Sequence, residues 1–265
     1  MSSFWSRILV VALLLPLTLG VVWLGGWWML AFGLVAALLA LHELYSMARQ
    51  LRPLVLAGYV GTITALLGAQ LGGGVWMLGG FMSTLLFAFC LNTIAETRAP
   101  ATVAVGTTVL GVAWVGLGLG FFVLLRALED HGRLAIFAVL LTVFAADTVA
   151  YAAGRLFGRH KLAPTMSPGK TWEGFLVGSA AGVFVMFITL YKQHFVDGWR
   201  SIVLGIVVVL AGVAGDLFES ALKRDMQVKD SGRILAGHGG MLDRVDALLF
   251  AAPAAYFVLL AYGYT

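Results

Sequence analysis

Long apolar runs separated by short polar connections dominate the chain. Nine such segments can be drawn, and each approaches the roughly 20 residues that a helix needs to cross the hydrocarbon core of a bilayer. They cover residues 6–24, 27–47, 54–72, 74–92, 102–125, 134–153, 173–191, 201–218 and 245–263. Short strands of alternating polarity, the pattern of a membrane barrel, are absent from the sequence. The pattern therefore predicts an all-α, polytopic membrane protein with about nine transmembrane helices.

Two of the boundaries between apolar runs are marked by only three residues each. Only the glycines at 72–74 separate the third run from the fourth, and the seventh run begins among the mixed residues 172–174. The first run follows Arg7, is longer than the core of a secretory signal and continues into a second apolar segment. We therefore expect it to be retained as the first helix.

Composition agrees with a membrane protein. The chain is 61% hydrophobic and 11% charged, whereas ordinary soluble domains carry about 25% charged residues. The single cysteine, Cys90, excludes an intramolecular disulfide and a metal cluster built on cysteine. No soluble domain is inserted, so we expect one membrane domain over residues 1–265, with N-terminal helices in 1–133 and a catalytic half in 134–265.

The distribution of lysine and arginine predicts the topology. With nine spans, 13 of the 17 basic residues fall on the side that holds the N-terminus, and 4 fall on the other side. Loops rich in lysine and arginine stay in the cytoplasm. We therefore expect a cytoplasmic N-terminus, an external C-terminus, and cytoplasmic positions for the two long polar loops, 154–172 and 219–244.

The densest charge in the chain lies between Asp216 and Asp246. Six of the 13 acidic residues fall there: Asp216, Glu219, Asp225, Asp230, Asp243 and Asp246. Five basic residues accompany them: Lys223, Arg224, Lys229, Arg233 and Arg244. Carboxylates at helical spacing, close to cations and to a glycine turn, are suited to metal-assisted chemistry on phosphates.

Asp216 ends the eighth apolar run. If the helix continues, Asp216, Ser220 and Lys223 share one face, and Glu219 and Lys223 are neighbours at i and i+4. A helix that turns polar as it leaves the bilayer is the structural alternative. A carboxylate at membrane depth is costly and usually functional, which favours a role in the site.

Asp243 and Asp246 begin the last apolar run at a spacing of i and i+3. Two carboxylates on one helical face can share a hard cation such as Mg²⁺, which prefers oxygen ligands. Negative charge at a helix N-terminus also complements the helix dipole. With Arg244 between the two acids, dipole and ion pairing alone are the alternative explanation.

A glycine turn, residues 237–240, precedes these acids and includes His238 and Gly239. Glycines permit close backbone approach, and free N–H groups ahead of a helix can cradle a phosphate. A structural turn with an idle histidine is the alternative.

The loop before the seventh run is the second basic segment. Its cations, Arg155, Arg159, Lys161 and Lys170, either mark the cytoplasmic side or bind anionic lipid headgroups. The Gly-Lys-Thr at 169–171 does not form a P-loop, because Pro164 stands where that pattern needs glycine. Ser167 and Lys170 remain candidate phosphate contacts.

Two further polar positions lie in apolar runs. Asp147 is an intramembrane acid and hence a functional candidate, with pairing to Arg155 as the structural alternative. His42 and Glu43 resemble the start of a zinc HExxH motif, but Ser46 stands at the place of the second histidine, so we expect no zinc site there.

The charged segment resembles a known family. The run from Ser220 to Asp246, S-A-L-K-R-x4-K-D-S-G-x2-L-A-G-H-G-G-M-L-D-R-V-D, is similar to the signature of the phosphatidate cytidylyltransferases of bacteria, also called CDP-diacylglycerol synthases. The family's upstream Asp-x-x-Ala-Tyr and Ser-Pro-Gly-Lys-Thr-Trp-x-Gly elements are matched at 147–151 and 167–174. The resemblance covers roughly the C-terminal half. Ala236 departs from it, since the family usually has Pro, Gly or Ser there.

The resemblance implies a reaction and a location. CTP and phosphatidic acid would give CDP-diacylglycerol and pyrophosphate, with Mg²⁺ required and a second cation left open. The enzyme would be a multi-pass protein of the bacterial inner membrane with its active site facing the cytoplasm. CTP, phosphatidic acid and membrane lipids are then the expected partners, a homodimer is a family-level expectation, and no nucleic acid is expected.

Roles follow for individual residues. The expected metal ligands are Asp216, Asp243 and Asp246, with Asp147 as a fourth candidate. The expected contacts to the CTP phosphates are Lys223, Arg224 and Lys229, assisted by Ser167, Lys170, His238 and Gly239. The expected contacts to the phosphatidate headgroup are Arg155, Arg159 and Lys161. Asp216, Lys223, Arg224, Asp243 and Asp246 form the expected catalytic set.

Two other functions use the same features. A CTP-dependent lipid kinase of the polyprenol type would release CDP instead of pyrophosphate. An ion-coupled transporter would use Asp147 and Asp216 as intramembrane carboxylates, but transporters tend to show paired halves, which this sequence lacks. A CDP-alcohol phosphotransferase would need an Asp-Gly-x2-Ala-Arg type of pattern that is not found.

Overall fold

A computed structural model describes residues 3–94, 100–193, 195–232 and 239–264. Helices account for most of these residues. They are α1 (Ser3–Leu24), α2 (Gly26–Met47), α3 (Val55–Ile94), α4 (Ala101–Gly111), α5 (Leu117–Ala127), α6 (Gly132–Phe157), α7 (Trp172–Leu190), α8 (Gly198–Asp225) and α9 (Leu242–Ala261). A π-helical turn, Val112–Gly116, joins α4 to α5. Two short strands, β1 (Lys161–Ala163) and β2 (Ser167–Thr171), lie between α6 and α7.

The predicted all-α membrane fold is confirmed. Within the described ranges, seven helices are long and apolar enough to cross a membrane: α2, α3, α4 continued through α5, α6, α7, α8 and α9. Helix α3 spans 40 residues, but its backbone leaves helical angles at Gly72 and at Gly73, where φ is +70°. Glycine tolerates that conformation without steric cost, and the break falls where the third and fourth predicted runs meet. The count of nine spans and the cytoplasmic N-terminus stay predictions.

Contacts along the chain divide it into two compact units. The first unit comprises residues 1–127 and 226–245, and the second comprises residues 128–225 and 246–265. The predicted single domain and its division at residue 133 stay predictions.

Small residues allow close packing around α2 in the first unit. The Tyr45 hydroxyl donates a hydrogen bond to the Thr108 carbonyl oxygen at 2.7 Å. Gly58 of α3 and Gly111 of α4 lie directly against the Tyr45 ring, so a Cβ at either position would overlap it. Tyr45 is almost fully buried. The contacts fix α2 against two other helices of this unit.

A glycine stripe packs α7 against α6 in the second unit. Gly174, Gly178 and Gly182 recur every four residues on α7, and a Cβ at Gly178 would lie 2.6 Å from the Ala146 carbonyl oxygen. Helices in membranes approach closely where small residues face each other. The stripe therefore places the stretch of α6 that carries Asp147 next to α7.

The connection between α6 and α7 is more ordered than the loop that we expected. Helix α6 continues to Phe157, and β1 and β2 then pair antiparallel, with Lys161 opposite Thr171 and Ala163 opposite Ser167. We call residues 158–171 the basic hairpin. The Thr171 hydroxyl accepts a hydrogen bond from the Gly174 N–H at 3.2 Å. This N-cap joins the end of the hairpin to the start of α7.

Candidate active site

Three carboxylates from three helices interact electrostatically in the second unit. Asp147 of α6 interacts electrostatically with Asp216 of α8 and with Lys170 of the basic hairpin. Asp246 of α9 interacts electrostatically with Asp216 and Asp147. We call Asp147, Asp216 and Asp246 the acidic cluster. The structure thus brings three of the four predicted metal ligands within electrostatic range of one another.

Lys170 supplies positive charge to the acidic cluster. Its Nζ lies 2.6 Å from Asp216 Oδ2, and both side chains are partly buried. Lys170 is in strand β2, so the pair joins the basic hairpin to α8. The ammonium group offsets part of the repulsion among three neighbouring carboxylates.

A glycine explains how α8 and α9 approach at their acidic positions. A Cβ at Gly215 would lie 2.5 Å from the Asp246 carbonyl oxygen and 3.2 Å from the Ala247 Cα. Only glycine leaves room for this contact. Asp216 follows Gly215 directly in the chain, so the same close approach places its carboxylate near Asp246.

Helix α8 continues beyond the acidic cluster as predicted and ends at Asp225. Lys223 Nζ lies 2.7 Å from Glu219 Oε2, which confirms the expected i, i+4 pair. Glu219 is 1% exposed. Breaking such a buried pair leaves an uncompensated charge, so Lys223 has a structural partner besides its predicted role toward CTP.

The other predicted cations of the second unit lie at its surface. Arg224 is exposed, and its Nε donates to the Met166 carbonyl oxygen of the basic hairpin at 3.2 Å. Arg155, Arg159 and Lys161 are exposed. Arg155 contacts the Tyr151 hydroxyl at 3.4 Å, and the described residues show no ion pair between Arg155 and Asp147. The structural alternative for Asp147 is therefore not observed.

Asp243 belongs to the first unit, where its carboxylate accepts hydrogen bonds from the loop before α9. Its Oδ2 accepts hydrogen bonds from the Gly240 N–H at 2.8 Å and from the Ser231 N–H at 3.3 Å. Gly239 has a φ of +80°. Helix α9 begins at Leu242, so the predicted helical spacing of Asp243 and Asp246 is confirmed. Their joint binding of a cation stays a prediction.

Lys229 and His238 are the remaining predicted contacts to the CTP phosphates. Lys229 is exposed. His238 and the unusual Ala236 lie outside the described residues, so the predicted phosphate cradle and the effect of Ala236 stay predictions.

The donor atoms suit Mg²⁺. Among the described residues, no group of three or more His, Cys, Asp or Glu side chains is arranged closely enough to hold a metal ion. The acidic cluster nevertheless concentrates carboxylate oxygens from three helices, and Mg²⁺ is bound through one or two carboxylates while it keeps several waters. Carboxylate oxygen is the donor type that Mg²⁺ prefers, and the binding of Mg²⁺ at this cluster stays a prediction.

Two glutamates to which we assigned no role contact segments that carry predicted site residues, one in each unit. Glu43 of α2 accepts a hydrogen bond from the Leu242 N–H at 2.8 Å and is 2% exposed. Glu173 accepts from the Arg159 and His160 N–H groups, and its Oε1 lies 2.6 Å from His160 Nδ1. Glu43 is an acid in an apolar helix, and that signal alone marks a functional candidate. We had linked Glu43 only to the incomplete zinc motif.

The fold is that of a polytopic helical membrane protein, with the acidic cluster and Lys170 in the second unit and the loop contacts of Asp243 in the first. The chain belongs to the cytidylyltransferase family, whose model matches residues 5–262. The match extends through the N-terminal helices, so the family pattern covers more than the C-terminal half that we expected. The predicted resemblance is confirmed.

Relatives named phosphatidate cytidylyltransferase are similar to this chain over most of its length. The protein from Mycobacterium bovis is 36% identical over 245 residues, which cover 85% of this chain and 78% of the relative. The protein from Staphylococcus haemolyticus is 33% identical over 261 residues, which cover 96% of this chain and 97% of the relative. The protein from Staphylococcus epidermidis is 35% identical over 265 residues, with the same coverage.

Proposed function

We propose that the protein transfers the cytidylyl group of CTP to phosphatidic acid, giving CDP-diacylglycerol and pyrophosphate. The observation that carries this proposal is the ion pair between Lys170 and Asp216 within the acidic cluster. Lys170 belongs to the family element at 167–174, and the relatives described above are named phosphatidate cytidylyltransferase.

The reaction needs positioning and charge neutralisation more than covalent chemistry. A phosphate oxygen of phosphatidic acid attacks the α-phosphorus of CTP, the bond to the bridging oxygen of the β-phosphate breaks, and pyrophosphate leaves with that electron pair. Cationic groups aimed at the transferring phosphates stabilise the developing charge. Lys170, Lys223 and Arg224 are the cations of the second unit that we assign to the CTP phosphates, with Ser167 beside Lys170 in β2.

The acidic cluster is our proposed site for Mg²⁺. Asp147, Asp216 and Asp246 would hold the ion, which when bound polarises phosphoryl oxygens and orients the phosphates. Lys170 holds the Asp216 carboxylate in place through its 2.6 Å contact. Asp243 stays a predicted ligand, and its carboxylate also accepts hydrogen bonds from the loop before α9.

The location of the site follows from its charge. We place it at the cytoplasmic face of a bacterial inner membrane, because loops rich in lysine and arginine stay in the cytoplasm. The exposed cations Arg155, Arg159 and Lys161 are suited to the anionic headgroup of phosphatidic acid. Water-soluble CTP and a lipid substrate can meet at such a surface. The homodimer stays a family-level prediction.

Product analysis with two acceptor lipids tests this function. Purified protein in detergent is incubated with Mg²⁺, CTP and either phosphatidic acid or diacylglycerol, and the lipid and phosphate products are separated. We expect a nucleotide-bearing lipid and pyrophosphate with phosphatidic acid and no product with diacylglycerol. Consumption of CTP with diacylglycerol but not with phosphatidic acid would contradict the proposal.

A further inference from the structure

A buried glutamate of α2 reaches the loop that precedes α9, all within the first unit. Glu43 Oε2 accepts a hydrogen bond from the Leu242 N–H at 2.8 Å and one from the Ser231 hydroxyl at 3.3 Å. The glutamate is separated from these partners by 199 and 188 positions in the chain. Its carboxylate therefore connects two sides of the segment 231–242.

Glycines on both sides of that segment make room for the carboxylate. At Gly232, the three atoms nearest to an added Cβ all belong to the Glu43 carboxyl end. At Gly240, an added Cβ would overlap Glu43 Oε2 and the Ser231 hydroxyl. Gly232 and Gly240 thus approach Glu43 so closely that an added Cβ at either position would force its carboxyl group to shift.

Asp243 holds the same two sides of the segment. Its carboxylate accepts hydrogen bonds from the Ser231 and Gly240 N–H groups, while Glu43 binds the Ser231 hydroxyl and the Leu242 N–H. Any movement of Ser231 therefore changes the contacts of both carboxylates. The orientation of Asp243 depends on whether Glu43 keeps Ser231 and Leu242 in place.

Helix α2 is a rigid support for this contact. Leu41 and Leu44 are buried, and Tyr45 is hydrogen bonded to Thr108 of α4. A side chain on a packed helix positions its partners more accurately than one on a loop.

The burial of Glu43 is costly. Its side chain is 2% exposed, and its Oε1 has no hydrogen-bond partner among the described residues. Leaving a buried polar atom without a hydrogen-bond partner destabilises the folded protein. Packing alone would favour an apolar side chain here, so the hydrogen bonds to the loop explain the acid better than stability does.

We propose that Glu43 is a positioning residue, which acts on the reaction by fixing the loop around Ser231 and Gly240 and thereby the carboxylate of Asp243. The proposal rests on the proposed function, in which Asp243 is a predicted metal ligand. Glu43 itself touches no reacting atom.

Kinetics of two substitutions at this position test the proposal. Glu43→Ala removes both hydrogen bonds, and we expect kcat to fall about 100-fold, the size of a misplacement of roughly 1 Å. The number of CTP molecules bound per protein should stay that of the wild type, because the fold persists. Glu43→Gln keeps an oxygen that accepts both bonds, so it should stay within about tenfold of the wild type. Glu129→Gln, which changes an exposed acid, is the matched control and should be neutral.

Three results would overturn the positioning role. Glu43→Ala with more than a third of the wild-type kcat would show that the bonds are dispensable. Glu43→Gln as inactive as Glu43→Ala would show that the charge itself is needed. A fall in CTP stoichiometry that matches the fall in kcat would show a folding defect only.

Ser231→Ala keeps the proposal testable if Glu43→Ala does not fold. It removes one hydrogen bond, and we expect about a tenfold fall in kcat. Combined with Glu43→Gln, it should lower kcat by less than the product of the single effects, because both changes act on one bond. Full activity of Ser231→Ala, or a strictly multiplicative double variant, would contradict the proposal.

Hydrogen exchange separates this inference from the proposed function. The Leu242 N–H should exchange faster in Glu43→Ala than in the wild type, whatever reaction the protein catalyses. If exchange is faster in Glu43→Ala but the wild type does not transfer a cytidylyl group, the proposed function is overturned and the positioning role of Glu43 stands. If exchange in Glu43→Ala equals that of a catalytically active wild type, the positioning role alone is overturned.

Discussion

Lys170 Nζ lies 2.6 Å from Asp216 Oδ2 and so joins the basic hairpin to helix α8. Asp216 also interacts with Asp147 and Asp246, which places the lysine at the edge of a group of three carboxylates. An exposed ion pair would contribute little to stability. This pair is partly buried, so it holds the carboxylate and the cation in one orientation, and we propose that both act in the reaction.

Removal of the Lys170 charge should reduce turnover. We expect Lys170→Ala to lower kcat by about 10²–10³-fold, the range seen when one electrostatic donor is removed from an active site. Lys170→Arg keeps the charge but changes its geometry, so it should retain intermediate activity. Lys192→Ala, at an exposed lysine of another loop, is the control. Initial rates of lipid product formation measure the effect, and an active Lys170→Ala would contradict the assignment.

The dependence on Mg²⁺ should change with the acidic cluster. Asp246→Asn should abolish turnover, and Asp147→Asn should raise the Mg²⁺ concentration needed for half-maximal activity, because each removes a carboxylate ligand. Asp197→Asn, whose side chain is 70% exposed, should not shift the Mg²⁺ titration. Undiminished turnover in excess EDTA, or full activity of Asp246→Asn, would contradict a metal site at this cluster.

The parts of this site that could be predicted are those whose residues lie close together in the sequence. Asp216, Glu219 and Lys223 lie on one helix, so their spacing alone predicts shared faces and the Glu219–Lys223 pair, which is observed. The break at Gly72–Gly73 could be predicted for the same reason, since glycine is the residue that tolerates it.

Contacts between distant parts of the sequence could not be predicted. Nothing in the helical spacing pairs Lys170 with Asp216, or Glu43 with Leu242, because those contacts depend on how the helices pack. The small hairpin was also missed, since its strands of three and five residues carry no clear alternation of polar and apolar positions.

The hydrogen bonds of Glu173 to the start of the basic hairpin should limit the opening of the hairpin. Glu173 binds the Arg159 and His160 N–H groups, so Glu173→Ala should free that end of the hairpin. Trypsin should then cleave after Arg159 or Lys161 several-fold faster, because local opening exposes the backbone to the protease. Glu129→Ala is the control. If trypsin cleaves Glu173→Ala at the rate of the wild type, the Glu173 hydrogen bonds do not hold the hairpin closed.

Close packing between α6 and α7 should make Gly178 sensitive to the smallest substitution. An alanine Cβ there would lie 2.6 Å from the Ala146 carbonyl oxygen and from the Ala150 Cβ. Overpacking of this kind costs about 1–3 kcal/mol, so Gly178→Ala should lower the midpoint of thermal unfolding. Gly106→Ala is the matched control, because nothing lies within 4 Å of its added Cβ. If Gly178→Ala is as stable as Gly106→Ala, the two helices do not pack as described.

The position of the label transferred from CTP tests the proposed reaction most directly. CTP labelled at either the α- or the γ-phosphorus is incubated with the purified protein, phosphatidic acid and Mg²⁺, and the radioactivity of the lipid and aqueous fractions is measured. We predict that the α-label enters the lipid and that the γ-label is recovered as pyrophosphate. Transfer of the γ-label to lipid with release of CDP would instead identify a lipid kinase and contradict cytidylyl transfer.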